Sequence, residues 1–253
     1  MLIDQSNEEL VMRKEVIITD WDGILQEIEF RWVSAFRDLY DSVYSDFFSY
    51  EHLEDLTVKS VFERPEYFLT KWLGKPERLP LNETEYALFE YPYTEDTFFY
   101  HKCPMLIMFD ALVKMAQEDF CESITILTQT QFEGGDPRKE FIFNNFIKPL
   151  SDKFRLIQIP LEKPKWEYIK ENDMYFTVFI DDRGDIIRDV AEKVSMRNKQ
   201  FIMPNVGYNY FLRSDYDFIA KLQMHNSNLT VYDQKILPFT PEMSFKADMD
   251  DLE

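Results

Sequence analysis

Glycine is scarce in this chain, six residues in 253, and none of them builds a GxGxxG or GxxxxGK[ST] pattern. That speaks against a dinucleotide-binding fingerprint and against a P-loop. Cysteine is scarcer still: Cys103 and Cys121 stand alone, with no CxxC pair and no Cys/His cluster, so a reducing compartment is the expectation. His52, His101 and His225 are scattered without metal-ligand spacing and read as surface or structural residues. No stretch approaches 18 apolar residues, and the N-terminal MLIDQSNEELVMRKE lacks the apolar run of a secretory signal. Positive charge is short too. Against 47 acidic residues stand 28 basic ones, a formal charge of −19, and such a field repels polyanions. The expectation is a soluble, cytoplasmic protein without a membrane or nucleic-acid partner. A small phosphorylated substrate drawn to a local metal and lysine site is compatible with that charge.

What is present is an ordinary globular composition, 45% hydrophobic and 30% charged, long enough for one large α/β domain or for a core with a smaller cap. The informative stretch is EVIITDWDGIL at 15–25. A short β-branched apolar run reads as a buried strand of a parallel sheet, and at its end stand Asp20 and Asp22, followed by Gly23. In open α/β sheets the ligand crevice lies beyond the carboxyl ends of the strands. Two acids there suit a hard cation such as Mg²⁺, and a carboxylate beside a bound metal can attack phosphorus. Asp-Gly is also a common turn dipeptide, so this stretch by itself equally reads as a polar turn.

Further along, residues 26–104 are aromatic and acidic with helical spacing. Phe30, Val33, Phe36, Leu39, Tyr40, Val43 and Phe47 form one amphipathic stripe. A second helix is expected over 58–72, ended by Gly74 and Pro76, and four prolines make 76–104 a mixture of loops and short helices. The aromatic residues here, Phe36, Tyr40 and Trp72 among them, read as core, with stacking on a base as the alternative. From Pro104 strands and helices alternate: helix 105–117, strand 123–128, a Gly-Gly-Asp-Pro turn, helix 138–150, strand 154–160, helix 165–172, strand 175–180, helix 184–196 and strand 200–203. That alternation implies βαβ units, hence an α/β, Rossmann-like parallel sheet with helices on both faces. The expected division is a core of 1–25 and 105–239, a helical cap of 26–104, and a flexible acidic tail at 240–253.

Four strand ends carry chemistry: Asp20 and Asp22; Thr128; Lys163 or Lys165; and Asp181, Asp182 and Asp185. In a parallel sheet these ends share one edge. Carboxylates can hold Mg²⁺, a hydroxyl and an ammonium can bind phosphoryl oxygens, and one Asp can attack while its neighbour handles the proton.

Taken in order, these residues resemble the haloacid dehalogenase superfamily of phosphatases. DWDGIL at 20–25 resembles its motif DxDG[TV]L, with Ile24 at the Thr/Val position. ITILTQT at 124–130 is similar to its apolar strand ending in Ser or Thr, KPKWEYI at 163–169 to its lysine at a helix start, and FIDDRGD at 179–185 to its acidic strand end. The resemblance spans residues 16–190. It implies Asp20 as nucleophile, Asp22 as general acid/base, Thr128 and a lysine as phosphate binders, and Mg²⁺ on Asp20, Asp22 and the Asp181/Asp182 pair. Lys165 precedes the helical WEYI directly and fits better than Lys163; Asp182 fits the metal position better than Asp181; Asp185 is either a site acid or a helix cap. The step of 108 positions from Asp20 to Thr128 leaves room for the family's inserted cap, to which 26–104 correspond. IDDR and MPNVGYN at 203–209 look most like the deoxyribonucleotidase and polynucleotide 3′-phosphatase branches. The implied activity is a Mg²⁺-dependent phosphomonoesterase acting on a nucleotide or other small phosphorylated metabolite. The alternatives are a polynucleotide 3′-phosphatase and a catalytically silent binding protein of the same fold.

Overall fold

The computed structural model describes residues 14–48 and 56–238. Residues 1–13 of the expected lead-in, His52, and the expected tail at 240–253 lie outside the described residues. Six strands form one sheet: β1 (Glu15–Thr19), β2 (Cys121–Thr130), β3 (Phe154–Pro160), β4 (Val178–Ile180), β5 (Gln200–Pro204) and β6 (Asn228–Tyr232). Their order is β3-β2-β1-β4-β5-β6, and every neighbouring pair is parallel. The fold is α/β and Rossmann-like, as expected from the alternation. From β1 the chain builds outward to β2 and β3, then crosses back to build β4, β5 and β6 on the other side. The switch point falls between β1 and β4, where such sheets open a crevice at their carboxyl ends.

The strands are continuous apolar runs because both faces are covered. Ile17, Ile126 and Ile180 point into one buried cluster with helices α6 (Ile107–Gln117) and α7 (Pro137–Ile142). Ile18, Leu127 and Phe179 point into a second, with α8 (Lys165–Glu171), α9 (Gly184–Lys193), α10 (Tyr210–Arg213) and α11 (Tyr216–Met224). β2 runs two residues past the expected end at Thr128 because Gln129 and Thr130 still pair with Ile159 and Pro160. Strand β6 has no counterpart in the sequence reading. It is an edge strand, half exposed, so burial imposes little pattern on it.

Between β1 and β2 lie α1 (Glu29–Leu39), α2 (Asp41–Phe47), α3 (Val58–Glu63), α4 (Leu69–Leu73) and α5 (Glu83–Glu95). They have a core of their own, built on Val33, Phe36, Tyr44, Phe48, Leu69, Leu73 and Phe89. The single stripe expected from Phe30 to Phe47 is two helices that meet at Tyr40, and the apolar face carries on across the junction. The helix expected over 58–72 is two, because Pro65 excludes Arg64 from the helical region and holds it extended at ψ 139°. The prolines of 76–104 mislead in the other direction. α5 is a 13-residue helix with Pro92 inside it, started by a capping box between Asn82 and Glu85. The two ends of this insertion meet through isolated bridges: Gln26 pairs with Met105, Leu106 N donates to Leu25 O (2.9 Å), and Leu106 pairs in turn with Ile236. Among the described residues no helix is long and apolar enough to cross a membrane.

Candidate active site

β1 delivers Asp20 to the switch point. Its backbone N donates to Ile180 O of β4 (2.9 Å), which fixes the acid between the two strands. Asp20 Oδ1 accepts from Trp21 N (2.7 Å) and pairs with Lys165 Nζ (2.9 Å). From β4, Asp181 accepts the other contact of the same ammonium, Lys165 Nζ to Asp181 Oδ2 at 2.8 Å, while its Oδ1 accepts from Arg183 N (2.9 Å). Lys165, in the first turn of α8, is thus buried between two carboxylates. Burial pulls its pKa down, but Asp181 and Asp20 outweigh that and hold it above the ordinary lysine value.

Asp182 completes the group. Carboxylate oxygens of Asp20, Asp181 and Asp182 lie within 4.8 Å of one another, and all three residues are buried. Burial raises the Asp181 carboxyl to about 6. Asp182 is pushed well above the usual carboxylate range by burial, with the charges of Asp181 and Asp20 adding to it. Three hard oxygen donors converge with one ammonium among them. An octahedral ion with bonds of about 2.0–2.1 Å spans a little over 4 Å between opposite ligands, so the cluster fits a Mg²⁺-sized cation with a small contraction. Gly23 makes the approach possible. It sits at φ +72°, and a Cβ there would lie 2.8 Å from Asp182 Oδ2.

Asp22 is not part of that group. Its Oδ2 accepts from Lys139 Nζ (2.6 Å), and the same ammonium donates to Thr128 Oγ1 (2.9 Å). Asp22 Oδ1 is shielded from solvent and has no hydrogen-bond partner among the described residues. Burial raises the Asp22 pKa against the pull of Lys139. Lys139 lies at the N-terminal end of α7, whose start is set by Asp136 capping Arg138 N (3.0 Å) and by Pro137 in the first turn. It is fully buried, with Nζ 5.3 Å from the centre of the Tyr100 ring. The sequence reading missed this residue. The available signal was its phase: Lys139, Ile142 and Phe143 share a three- and four-residue spacing, so a lysine falls in step with the apolar face of its helix.

The remaining expected residues fall outside the centre. Lys163 forms an ion pair with Glu171; Asp185 is exposed and pairs with Arg183, and it does not cap α9. Phe36 is sealed in the core of the insertion, ringed by Tyr40, Tyr44, Phe48 and Phe89, and Trp72 packs against the same cluster.

Above the acids opens a cleft of about 310 Å³. Its floor is Asp20, Asp22, Thr128 and Asp182, and the insertion supplies a wall that includes Trp32, Tyr67, Phe68, Tyr86, Phe89 and Tyr93. Trp32 stacks against Phe89 at 5.0 Å and Tyr93 at 4.9 Å, two rings of α5. Phe68 and Tyr86 are 58% and 45% exposed. Among the described residues lining the cleft, Arg183 is the single cation, and it is held by Asp185 and by the Tyr67 ring 4.8 Å away. No family model and no curated protein matches this chain.

Proposed function

We propose that this chain is a Mg²⁺-dependent phosphomonoesterase of the haloacid dehalogenase type, with the helical insertion as its cap. The observation that carries the reading is the division of labour between two acids two residues apart. Asp20 sits among metal-competent carboxylates, and Asp22 turns away to a lysine and a threonine at the floor of the same cleft.

Both contacts of Asp20 fall on Oδ1, so Oδ2 is the atom for in-line attack on phosphorus. The Oδ2–P bond forms as the ester P–O bond breaks, and Asp22 gives its proton to the departing alcohol oxygen. Burial raises the pKa of Asp22, the direction that a proton donor needs. In the second half Asp22 takes a proton from water. The resulting hydroxide attacks the phosphoryl group, and Asp20 is released as a carboxylate with inorganic phosphate. Thr128 and Lys165 supply donors to the phosphoryl oxygens, and Lys139 keeps Asp22 oriented. Asp20, Asp181 and Asp182 would hold the Mg²⁺, which when bound offsets negative charge on the transferring group.

The cleft sits at the small end of the range for ligand pockets, and its outer wall is aromatic. A small monophosphate with a planar, uncharged part, a nucleotide or similar metabolite, suits it. A polynucleotide 3′ end is disfavoured by a wall with one occupied cation and a chain charge of −19. The test is phosphate release from nucleoside 5′- and 3′-monophosphates, sugar phosphates and a 3′-phosphorylated oligonucleotide, with and without Mg²⁺. Wild-type turnover that requires Mg²⁺ and disappears in Asp20→Asn is expected. A folded wild type that releases phosphate from none of them would leave a binding protein as the better reading.

A further inference from the structure

Asp182 is held from the far side of the sheet edge. The turn Gly207–Asn209 follows β5, and from it Tyr208 OH donates to Asp182 Oδ2 at 2.8 Å. Its neighbour Asn209 is fully buried and bonds both the Asp182 carbonyl (2.6 Å, through Nδ2) and Gly184 N (2.8 Å, through Oδ1). The turn is therefore registered on the Asp182 backbone as well as on its carboxylate.

The other face of Tyr208 belongs to the insertion. The Arg64 guanidinium lies 4.8 Å from the centre of the Tyr208 ring, and Tyr67 packs edge-on against it at 5.4 Å. Arg64 is 1% exposed and is fixed from within the insertion, by an ion pair to Glu29 and by donation to the carbonyls of Val61 (2.6 Å), Glu66 (3.0 Å) and Tyr67 (3.3 Å). Gly207 lets the two parts meet: a Cβ there would lie 2.2 Å from Arg64 O and 2.3 Å from Glu63 O. An unbroken series of contacts thus runs from the arginine of the insertion through one tyrosine to one carboxylate.

We propose that Tyr208 is a positioning residue for the metal-binding carboxylate of Asp182, and that the insertion sets Tyr208 through Arg64. The hydroxyl engages Asp182 Oδ2 and so fixes the rotation of the carboxylate that lies beside Asp20 and Asp181. A hydrogen bond to a ligating carboxylate orients it and is worth roughly 10- to 100-fold in metal affinity. The ion is then bound well only when the wall that carries the aromatic rings of the cleft is docked on the core. By reciprocity, binding of the ion favours the docked insertion. This inference rests on the three-aspartate cluster being a metal site.

The experiment is calorimetric titration of the full chain with Mn²⁺ as the probe ion, without substrate. Tyr208→Phe, which removes only the hydroxyl, is expected to raise Kd by roughly 10- to 100-fold, and Tyr216→Phe, a control at an 85% exposed tyrosine, to leave it unchanged. Arg64→Lys keeps a charge for Glu29 but loses the planar face over Tyr208. It should raise Kd by a smaller factor and add nothing further in the Tyr208→Phe background. If Arg64→Lys does not fold, Tyr67→Leu takes its place in the cycle. A wild-type Kd in Tyr208→Phe overturns the positioning role while leaving the metal reading intact. Fully additive effects overturn the link from the insertion. Wild-type protein that takes up no ion overturns the metal reading and this inference together.

Discussion

Replacing Lys165 by Met separates the charge of this side chain from its bulk. Met fills nearly the same volume, so the loss is an ammonium 2.9 Å from Asp20 Oδ1 and 2.8 Å from Asp181 Oδ2, in a side chain 2% exposed. Removing one partner of a buried ion pair costs about 3–5 kcal/mol, because the other charge is left uncompensated. Here the charge left behind can be neutralised by a proton. With Lys165 in place, burial already holds Asp181 at about 6, above its ordinary value of 3.8; without it the carboxyl takes up a proton more readily still. Lys165 stays charged from pH 5 to 8, so its own titration does not enter. The full loss is therefore expected at pH 8 and a smaller one at pH 5, where a proton on Asp181 stands in for one of the ammonium's two contacts. With a urea slope of about 3 kcal/mol per M for a chain of this size, the unfolding midpoint in EDTA should fall by about 1–1.7 M at pH 8. Urea titrations monitored by fluorescence at both pH values check this. An equal fall at pH 5 and pH 8, or none at either, would refute the electrostatic account of Lys165.

Two further substitutions test the surroundings of the centre. Gly23→Ala forces a side chain into φ +72° and onto Asp182 Oδ2; the backbone alone costs of order 1–3 kcal/mol, so calorimetry should show a Tm lower by about 2–10 °C together with weakened Mn²⁺ uptake. Retained uptake would mean that Asp182 can move aside. Glu27 is buried with its Oε1 accepting from Glu29 N and Phe30 N (2.9 Å each), and burial raises its carboxyl from 4.5 to about 7. Its folded form binds the proton more tightly than the unfolded form, so the stability it contributes is present below pH 4.5 and is lost as pH rises to 7. Glu27→Gln should match the wild type near pH 4.5 and exceed it above pH 7, by at most about 3 kcal/mol. A difference that does not change with pH would contradict this.

Strand-end acids were legible in the sequence because each follows a short apolar run that two covered faces demand, as Ile17, Ile18 and Thr19 do before Asp20. The sheet order, which brings β1 beside β4, is what turns Asp20, Asp181 and Asp182 from three motifs into one cluster. Local pattern favoured Lys165 over Lys163 because it directly precedes the helical WEYI; the contacts of Lys165 with Asp20 and Asp181, against the pairing of Lys163 with Glu171, are a property of the assembled crevice. Lys139 escaped because a charged residue inside PRKEF reads as a solvated helix start until Asp22 and Thr128 are seen to face it. The helix breaks at Tyr40 and Arg64 escaped for another reason. The apolar stripe continues across both, so periodicity reports the shared face and is blind to the axis, although Pro65 marked the second break. Pro92 erred oppositely, as a proline that the capping and packing of α5 tolerate.

The single bridge between Gln26 and Met105, with Leu106 N donating to Leu25 O, places the two ends of the insertion side by side. A segment whose ends meet can be lengthened, shortened or exchanged without altering the spacing of anything on the sheet. A change confined to the outer helices of the insertion alters the wall of the cleft while Asp20, Asp22 and their lysines, which stand on the sheet and on α7 and α8, keep their contacts with one another.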